Sequence, residues 1–368
     1  MRRLSPAPIW LLAVAVAPMG ACSMFGEVEV PGGTPTVDYD TCEDAEGRLA
    51  WQEARSALAQ GDDRAALPLL QRAVRRCPVL VRAHLAYQDV ARRLGGDEEQ
   101  AMIDFYVAQQ PSQGTPVPAY LRARLADTAY AQANAVDAIL AEQDDFAWAH
   151  LSRGRINRGQ GRLTEALLDF ERAIRSDGGI VEARLERAQV LVDLGRDEEA
   201  AVAYASYLRE RPADLVAMHD YATLLLYRLG RIQEAIGWLD KLEAQGDRSI
   251  ALRMDRAAAM WQGKQSQAAA ELYFEILEEA PTTARAALNL GMLYYEIVPQ
   301  DEGGRQRFWP KARAAFRMFL SMSEPSDGHE QFERTWAVPY RLERIARRLG
   351  PAPTETPQLE MLRWPSGS

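Results

Sequence analysis

Long apolar runs, clustered histidines and cysteine frameworks are what this 368-residue chain lacks. Beyond its first residues, no apolar stretch reaches the roughly 20 residues that a bilayer-crossing helix needs. The four histidines, His84, His150, His219 and His329, fall in different helical segments at no metal-ligand spacing. His150 and His219 share one register position, which reads as packing. The stretch 154–161 is glycine-rich but closes a helix and lacks Gly-Lys-Ser/Thr, and Gly263-Lys264 has no upstream glycine partner. No Gly-x-Ser-x-Gly elbow is present. The carboxylate pairs Asp62-Asp63, Glu198-Glu199 and Glu278-Glu279 sit at turns or helix ends, where solvation accounts for them. Basic clusters such as Arg72-Arg75-Arg76 and Arg344-Arg347-Arg348 read as solvated helix faces. With formal charge −9 and pI near 5.2, the chain is a poor nucleic-acid ligand. No enzyme, cofactor or metal site is expected.

What is present is one small pattern that keeps returning: Ala, three residues, a large apolar residue, two residues, then Ala or another apolar residue. It reads Ala66-Leu70-Ala73, Ala101-Phe105-Ala108, Ala166-Phe170-Ala173, Ala200-Tyr204-Tyr207, Ala235-Leu239-Leu242, Ala269-Tyr273-Ile276 and Ala312-Phe316-Phe319. From Ala166 the leading alanines stand 34, 35 and 34 residues apart. That period marks stacked helical hairpins, each burying its apolar face against its neighbours. At 47% hydrophobic and 26% charged, the chain can fill one continuous core.

Further positions recur. A small residue precedes the leading alanine by twelve (Ala54, Ala123, Gly154, Ala188, Ala257), and a turn glycine by five (Gly61, Gly161, Gly195, Gly230). Pro78, Pro212 and Pro281 follow it by twelve. Each unit thereby resembles a tetratricopeptide repeat. The small residues let helix A approach helix B, the glycine takes a left-handed cap, and the proline ends helix B. The resemblance implies an all-α, right-handed superhelix of about eight antiparallel hairpins over 42–327. Units begin near Gly47, Arg82, Pro116, Ala147, Val181, Val216, Ile250 and Ala284. The third is irregular, with a loop from Pro111 to Pro118, and its Ala135-Ile139-Glu142 stands in for the pattern. In the eighth, an insertion from Gln300 to Trp309 separates the two helices, with Phe308 and Trp309 exposed. Residues 328–350 are expected to form a closing helix, and the proline-rich tail 351–368 to be disordered.

The N-terminus carries Arg2-Arg3 and an apolar stretch from Ile9 to Ala17, too short to span a bilayer, as in a signal peptide over 1–21. Met19-Gly20-Ala21-Cys22 resembles a bacterial lipobox, with Met19 where leucine is preferred. The resemblance implies lipidation of Cys22, the competing reading being ordinary cleavage near Ala21. Loss of Arg2 and Arg3 takes the formal charge to −11. Ser23 after the cysteine points to the outer membrane under the enterobacterial sorting habit, facing the periplasm. Residues 22–41 form a tether whose 19 residues after Cys22 average about 25 Å end to end. Cys42 and Cys77 flank the first hairpin at ends that lie side by side, so a disulfide is expected, two free thiols being the alternative.

In the tetratricopeptide register, helix A lines the concave surface. Carried over, it gives Arg48, Trp51 and Arg55 in the first unit, Tyr120 and Arg124 in the third, and Trp148, Arg155 and Arg158 in the fourth. It adds Glu182, Leu185 and Gln189 in the fifth, Asp220, Leu224 and Tyr227 in the sixth, Met254 and Trp261 in the seventh, and Arg285 and Tyr295 in the eighth. Arginines and aromatics on the N-terminal half could hold an acidic peptide segment; the plainer reading pairs them with neighbouring helices. The expectation is a membrane-anchored scaffold for protein–protein interactions in a cell-envelope assembly, its partners other envelope proteins. The alternative is a non-catalytic accessory subunit of an envelope enzyme such as a peptidoglycan hydrolase or transferase.

Overall fold

The computed structural model describes residues 41–108, 115–296, 301–322 and 328–365; the expected leader, Cys22 and nearly all of the tether lie outside them. Helices follow one another as antiparallel pairs. They are α1 (Ala45–Ala59) with α2 (Asp63–Arg76), α3 (Val81–Leu94) with α4 (Gly96–Ala108), and α5 (Val117–Ala123) with α6 (Ala129–Glu142). Next come α7 (Ala147–Gly159) with α8 (Leu163–Ser176), and α9 (Val181–Asp193) with α10 (Asp197–Glu210). The sixth pair is α11 (Leu215–Thr223), continued by a π-helical turn (Leu224–Arg228), with α12 (Ile232–Ala244). The seventh and eighth are α13 (Ile250–Gln262) with α14 (Ser266–Glu279), and α15 (Ala284–Glu296) with α16 (Glu302–Ser321). A closing helix, α17 (Gly328–Phe332), a second π turn (Glu333–Ala337) and α18 (Val338–Leu349), covers the end. The architecture is the expected α-solenoid. Among the described residues, no helix is long and apolar enough to cross a membrane.

Local chemistry sets the boundaries. Gly61, Gly161, Gly195 and Gly230 take φ of +73°, +74°, +73° and +63°, the left-handed geometry that closes helix A. The seventh hairpin does this with Lys264 at +64°. Asp62 accepts from the Ala65 amide at 2.9 Å and caps α2, and Asp214 caps α11 in the same way. Packing uses the repeated alanines: Ala66, Ala166, Ala200, Ala235, Ala269 and Ala312 are fully buried. A Cβ on Gly154 would lie 2.5 Å from the Phe170 ring, and one on Gly291 2.6 Å from the Phe316 ring. Those two rings therefore require glycine on helix A.

Cys42 and Cys77 are joined, with Cα atoms 5.4 Å apart, closing a loop of sequence separation 35. In the chain-entropy model such a cross-link stabilises the first hairpin by about 3–4 kcal/mol. Gly47 sits beneath the bridge; a Cβ there would lie 2.3 Å from Cys77 Sγ.

Four expectations change. In the second hairpin Met102 and Tyr106 are buried and Ala101 is exposed, one residue later than the pattern. There the Gly95-Gly96 connection, with both φ values positive, starts α4 at once after α3. In the third, Pro118 lies in the first turn of α5, where the missing N–H costs nothing. The insertion before Trp309 is helical from Glu302 on, lengthening α16 to 20 residues, and Phe308 and Trp309 are buried. The tail, expected to be disordered, lies packed over 351–365. Leu362 is fully buried, its carbonyl accepts from Tyr294 Oη at 2.6 Å, and Trp364 packs 5.1 Å from Phe308.

A groove on the concave face

The N-terminal half of the concave face is closed by its own side chains. Arg82 at the start of α3 reaches Glu182 at the start of α9 at 2.5 Å and the Gly179 carbonyl at 3.0 Å. Its guanidinium passes 5.3 Å over the Trp148 ring, which is only 2% exposed. Tyr120 is equally buried and pairs with Ser152 Oγ at 3.1 Å. Neither ring is open to a partner, because the register that points inward also points into the joint between neighbouring A helices.

Most of the expected arginines are likewise occupied. Arg48 donates to the carbonyls of Cys42 and Glu43 at 2.7 and 2.6 Å, tying down the chain entry. Arg55 lies 5.9 Å from the half-buried Trp51 ring. Arg124 pairs with Asp89 at 3.2 Å, and Arg155 with Glu186 at 2.6 Å. Arg158 reaches Asp193 at 2.9 Å and Gln189 at 2.6 Å. The plainer reading describes Arg48, Arg124, Arg155 and Arg158, which brace the helix A of an adjoining hairpin or their own chain, while Arg55 stays exposed beside Trp51 of its own helix. Behind this wall, Asp169 gathers Arg153, Asn157 and His150. Burial alone would raise its carboxyl, but the hydrogen bonds from His150 and Arg153 hold it below the usual range.

The C-terminal half is different. Between α11, α13 and α15 opens a cavity of about 520 Å³, lined chiefly by Tyr227, Met254, Asp255, Trp261, Arg285 and Asn289. The π turn after α11 holds Tyr227 out of the core, 54% exposed, while its hydroxyl donates to Asp255 at 2.6 Å. His219 shares that carboxylate at 2.7 Å, which raises its pKa against the opposing effect of burial. The Tyr227 hydroxyl is raised in turn, by desolvation at its inward-facing end and then by the Asp255 charge. Asn289 donates to Tyr273 Oη at 3.2 Å at the back of the cavity. Rings and a thioether thus form walls, and side-chain amides and a guanidinium supply polar groups. Such a surface suits an extended peptide segment. Among the described residues no group of three or more His, Cys, Asp or Glu could hold a metal ion.

The helix-A register had placed Tyr227, Met254, Trp261 and Arg285 here. It missed Asp255, whose signal is only an acidic residue between apolar ones, and Tyr273, whose repeat position reads as core.

A family model described as tetratricopeptide repeat matches residues 151–214, across α7 to α10. Residues 151–214 thus carry the tetratricopeptide-repeat signature, and the hairpins on either side continue the same fold. Solved structures of like fold include the APC/C hetero-tetramer Cut9–Hcn1, at 13% identity and TM-score 0.51, the match covering 78% of this chain and 55% of that one. A tetratricopeptide repeat protein from Parabacteroides merdae matches at 18% identity and TM-score 0.37, over 66% of this chain and 96% of that one. YrrB, titled a TPR protein with an unusual peptide-binding site, matches at 15% and 0.44, over 58% and 99%. At these identities the likeness is one of fold. No curated protein matches the chain. Tetratricopeptide stacks are protein–protein interaction scaffolds whose curvature supplies a concave binding surface.

Proposed function

We propose that this tetratricopeptide-repeat protein is a lipid-anchored, non-catalytic scaffold of a bacterial cell envelope. It holds a segment of a partner protein in the groove of hairpins six to eight. The observation that carries the reading is the open cavity walled by Tyr227, Met254 and Trp261, where the N-terminal half of the same face is filled. The anchor rests on the lipobox-like Met19-Gly20-Ala21-Cys22 and the stretch behind it that carries Pro31, Gly32, Gly33 and Pro35. The Cys42–Cys77 bridge suits an oxidising compartment such as the periplasm.

Two measurements test it. Cys22→Ala should shift the protein from the membrane fraction to the soluble fraction; unchanged fractionation and mass would remove the anchor. Tyr227→Ala combined with Trp261→Ala should abolish co-purification of the native partner without loss of helicity, and unchanged co-purification would remove the groove.

A further inference from the structure

The end of the solenoid carries a second recess, separate from the groove walls described above and meeting them only at Glu296. It measures about 490 Å³ and lies between the end of α15, the start of α16 and α18. Its base is a stacked pair, Tyr295 and Trp309, with centroids 5.6 Å apart and planes 12° from parallel. Four arginines surround it: Arg305, Arg344, Arg347 and Arg348. Arg344 lies 5.8 Å from the Tyr295 ring, and Arg305 lies 5.7 Å from the Trp309 ring.

The acidic groups facing these cations do not balance them. Arg347 pairs with Glu343 at 2.5 Å, while Arg348 and Arg305 share the single carboxylate of Glu302 at 3.0 and 3.9 Å. Among the described residues Arg344 has no carboxylate within ion-pair distance, and Glu296 on the rim is the one further acid of the recess. Among the described residues, two buried donors in the lining residues, Trp309 Nε1 and Tyr295 Oη, have no hydrogen-bond partner.

The neighbouring surface is apolar. Phe332, Trp336 and Tyr340 are 56%, 68% and 60% exposed on the closing helix. Tyr340, Arg344 and Arg347 follow at i, i+4 and i+7, so ring and guanidinium groups share one face. Terminal helices of solenoids are otherwise polar on their outer side.

We propose that this recess and the aromatic strip beside it form a docking site for an acidic peptide segment of a partner protein. Its carboxylates seat among Arg305, Arg344 and Arg347, and its apolar side chains lie on Tyr340 and Trp336. Charge complementarity selects the occupant, since guanidinium groups in this geometry take carboxylates as charge-assisted pairs. A flat anionic bilayer fits a recessed site poorly and is opposed by the chain's net charge of −9.

The test uses the full mature chain in detergent and a fluorescent dodecapeptide of alternating Glu and Leu, with a Gln/Leu peptide as control. The Glu peptide should bind at least about tenfold more tightly than the Gln peptide, with strong salt dependence. Arg344→Gln with Arg347→Gln should weaken it by about tenfold or more, while Arg344→Lys with Arg347→Lys retains most of the binding. Trp261→Ala in the other groove should leave it unchanged, so this site and the proposed groove fail separately. Equal binding of the Glu and Gln peptides would overturn the proposal, as would equal loss from Trp261→Ala. Arginine-dependent co-sedimentation with phosphatidylglycerol vesicles and no peptide binding would overturn it in favour of a membrane surface.

Discussion

Arg82 and Glu182, from the second and fifth hairpins, meet at 2.5 Å across the concave face. The N-terminal ends of α3, α7 and α9 converge there, with Trp148 packed beneath the guanidinium. The pair acts as a strut between the second and fifth hairpins and fills the concave face where it crosses.

Arg82→Glu should therefore loosen the curvature between those hairpins. Small-angle scattering should show a larger radius of gyration, and Trp148 should become accessible to a collisional quencher. The stability cost should be modest, about 1 kcal/mol, because the pair is partly solvated. An unchanged radius with unchanged quenching would show that helix packing alone sets the curvature.

Reversing Arg155 and Arg158 to Glu should lower the melting temperature by several degrees, on the order of 1–2 kcal/mol. Both arginines brace α7 against α9, and the reversal would set four carboxylates together with Glu186 and Asp193. The same reversal at Arg72 and Arg75, on α2, should change melting much less. Equal shifts for the two pairs would mean that the cross-hairpin bonds contribute no more than surface charge.

Gly154→Ala and Gly291→Ala should each cost about 1–3 kcal/mol, since the new Cβ meets the Phe170 or Phe316 ring. Gly237→Ala on exposed α12 meets nothing within 4 Å and should stabilise by about 0.5–1 kcal/mol. Denaturant midpoints of the three variants decide it; a neutral Gly154→Ala would mean that α7 and α8 can separate freely.

His219 has its pKa raised above 6.5 by Asp255. The folded state thus holds the proton more tightly, so this stabilisation is full below the unfolded pKa and fades as pH rises through the folded one. The stability difference between the native protein and His219→Gln should shrink from pH 6 towards pH 8. His84 acts oppositely: burial pushes it down to about 4, so its neutral form favours folding at pH 7 and costs stability as pH falls from 6.5 to 4. Thermal melts between pH 8 and pH 6 should show the difference for His219→Gln widening towards acid; a flat or inverted difference over that interval would contradict the Asp255 contact.

The repeat period, the turn glycines and the small residues facing Phe170 and Phe316 made the solenoid legible, because each is a backbone requirement that one residue type meets. The second hairpin slipped by one residue because two consecutive glycines shortened a turn whose length the period alone does not record. The packed tail was not legible, since Leu362 and Trp364 are isolated apolar residues among prolines and their partners Tyr294 and Phe308 are distant in sequence. For the site, the register gave the face but not its state. Whether an inward arginine is open depends on the acid opposite, as Glu186 is for Arg155, and a 34-residue repeat carries no such pairing in its pattern.

Photo-crosslinking in intact cells tests the groove most directly. Mature protein carrying p-benzoylphenylalanine at position 261 should form a discrete adduct with a partner protein. The same label at position 155 in the closed half, or at position 202 on the outer face, should give none. Adducts from position 155 or 202 with none from position 261 would contradict the account.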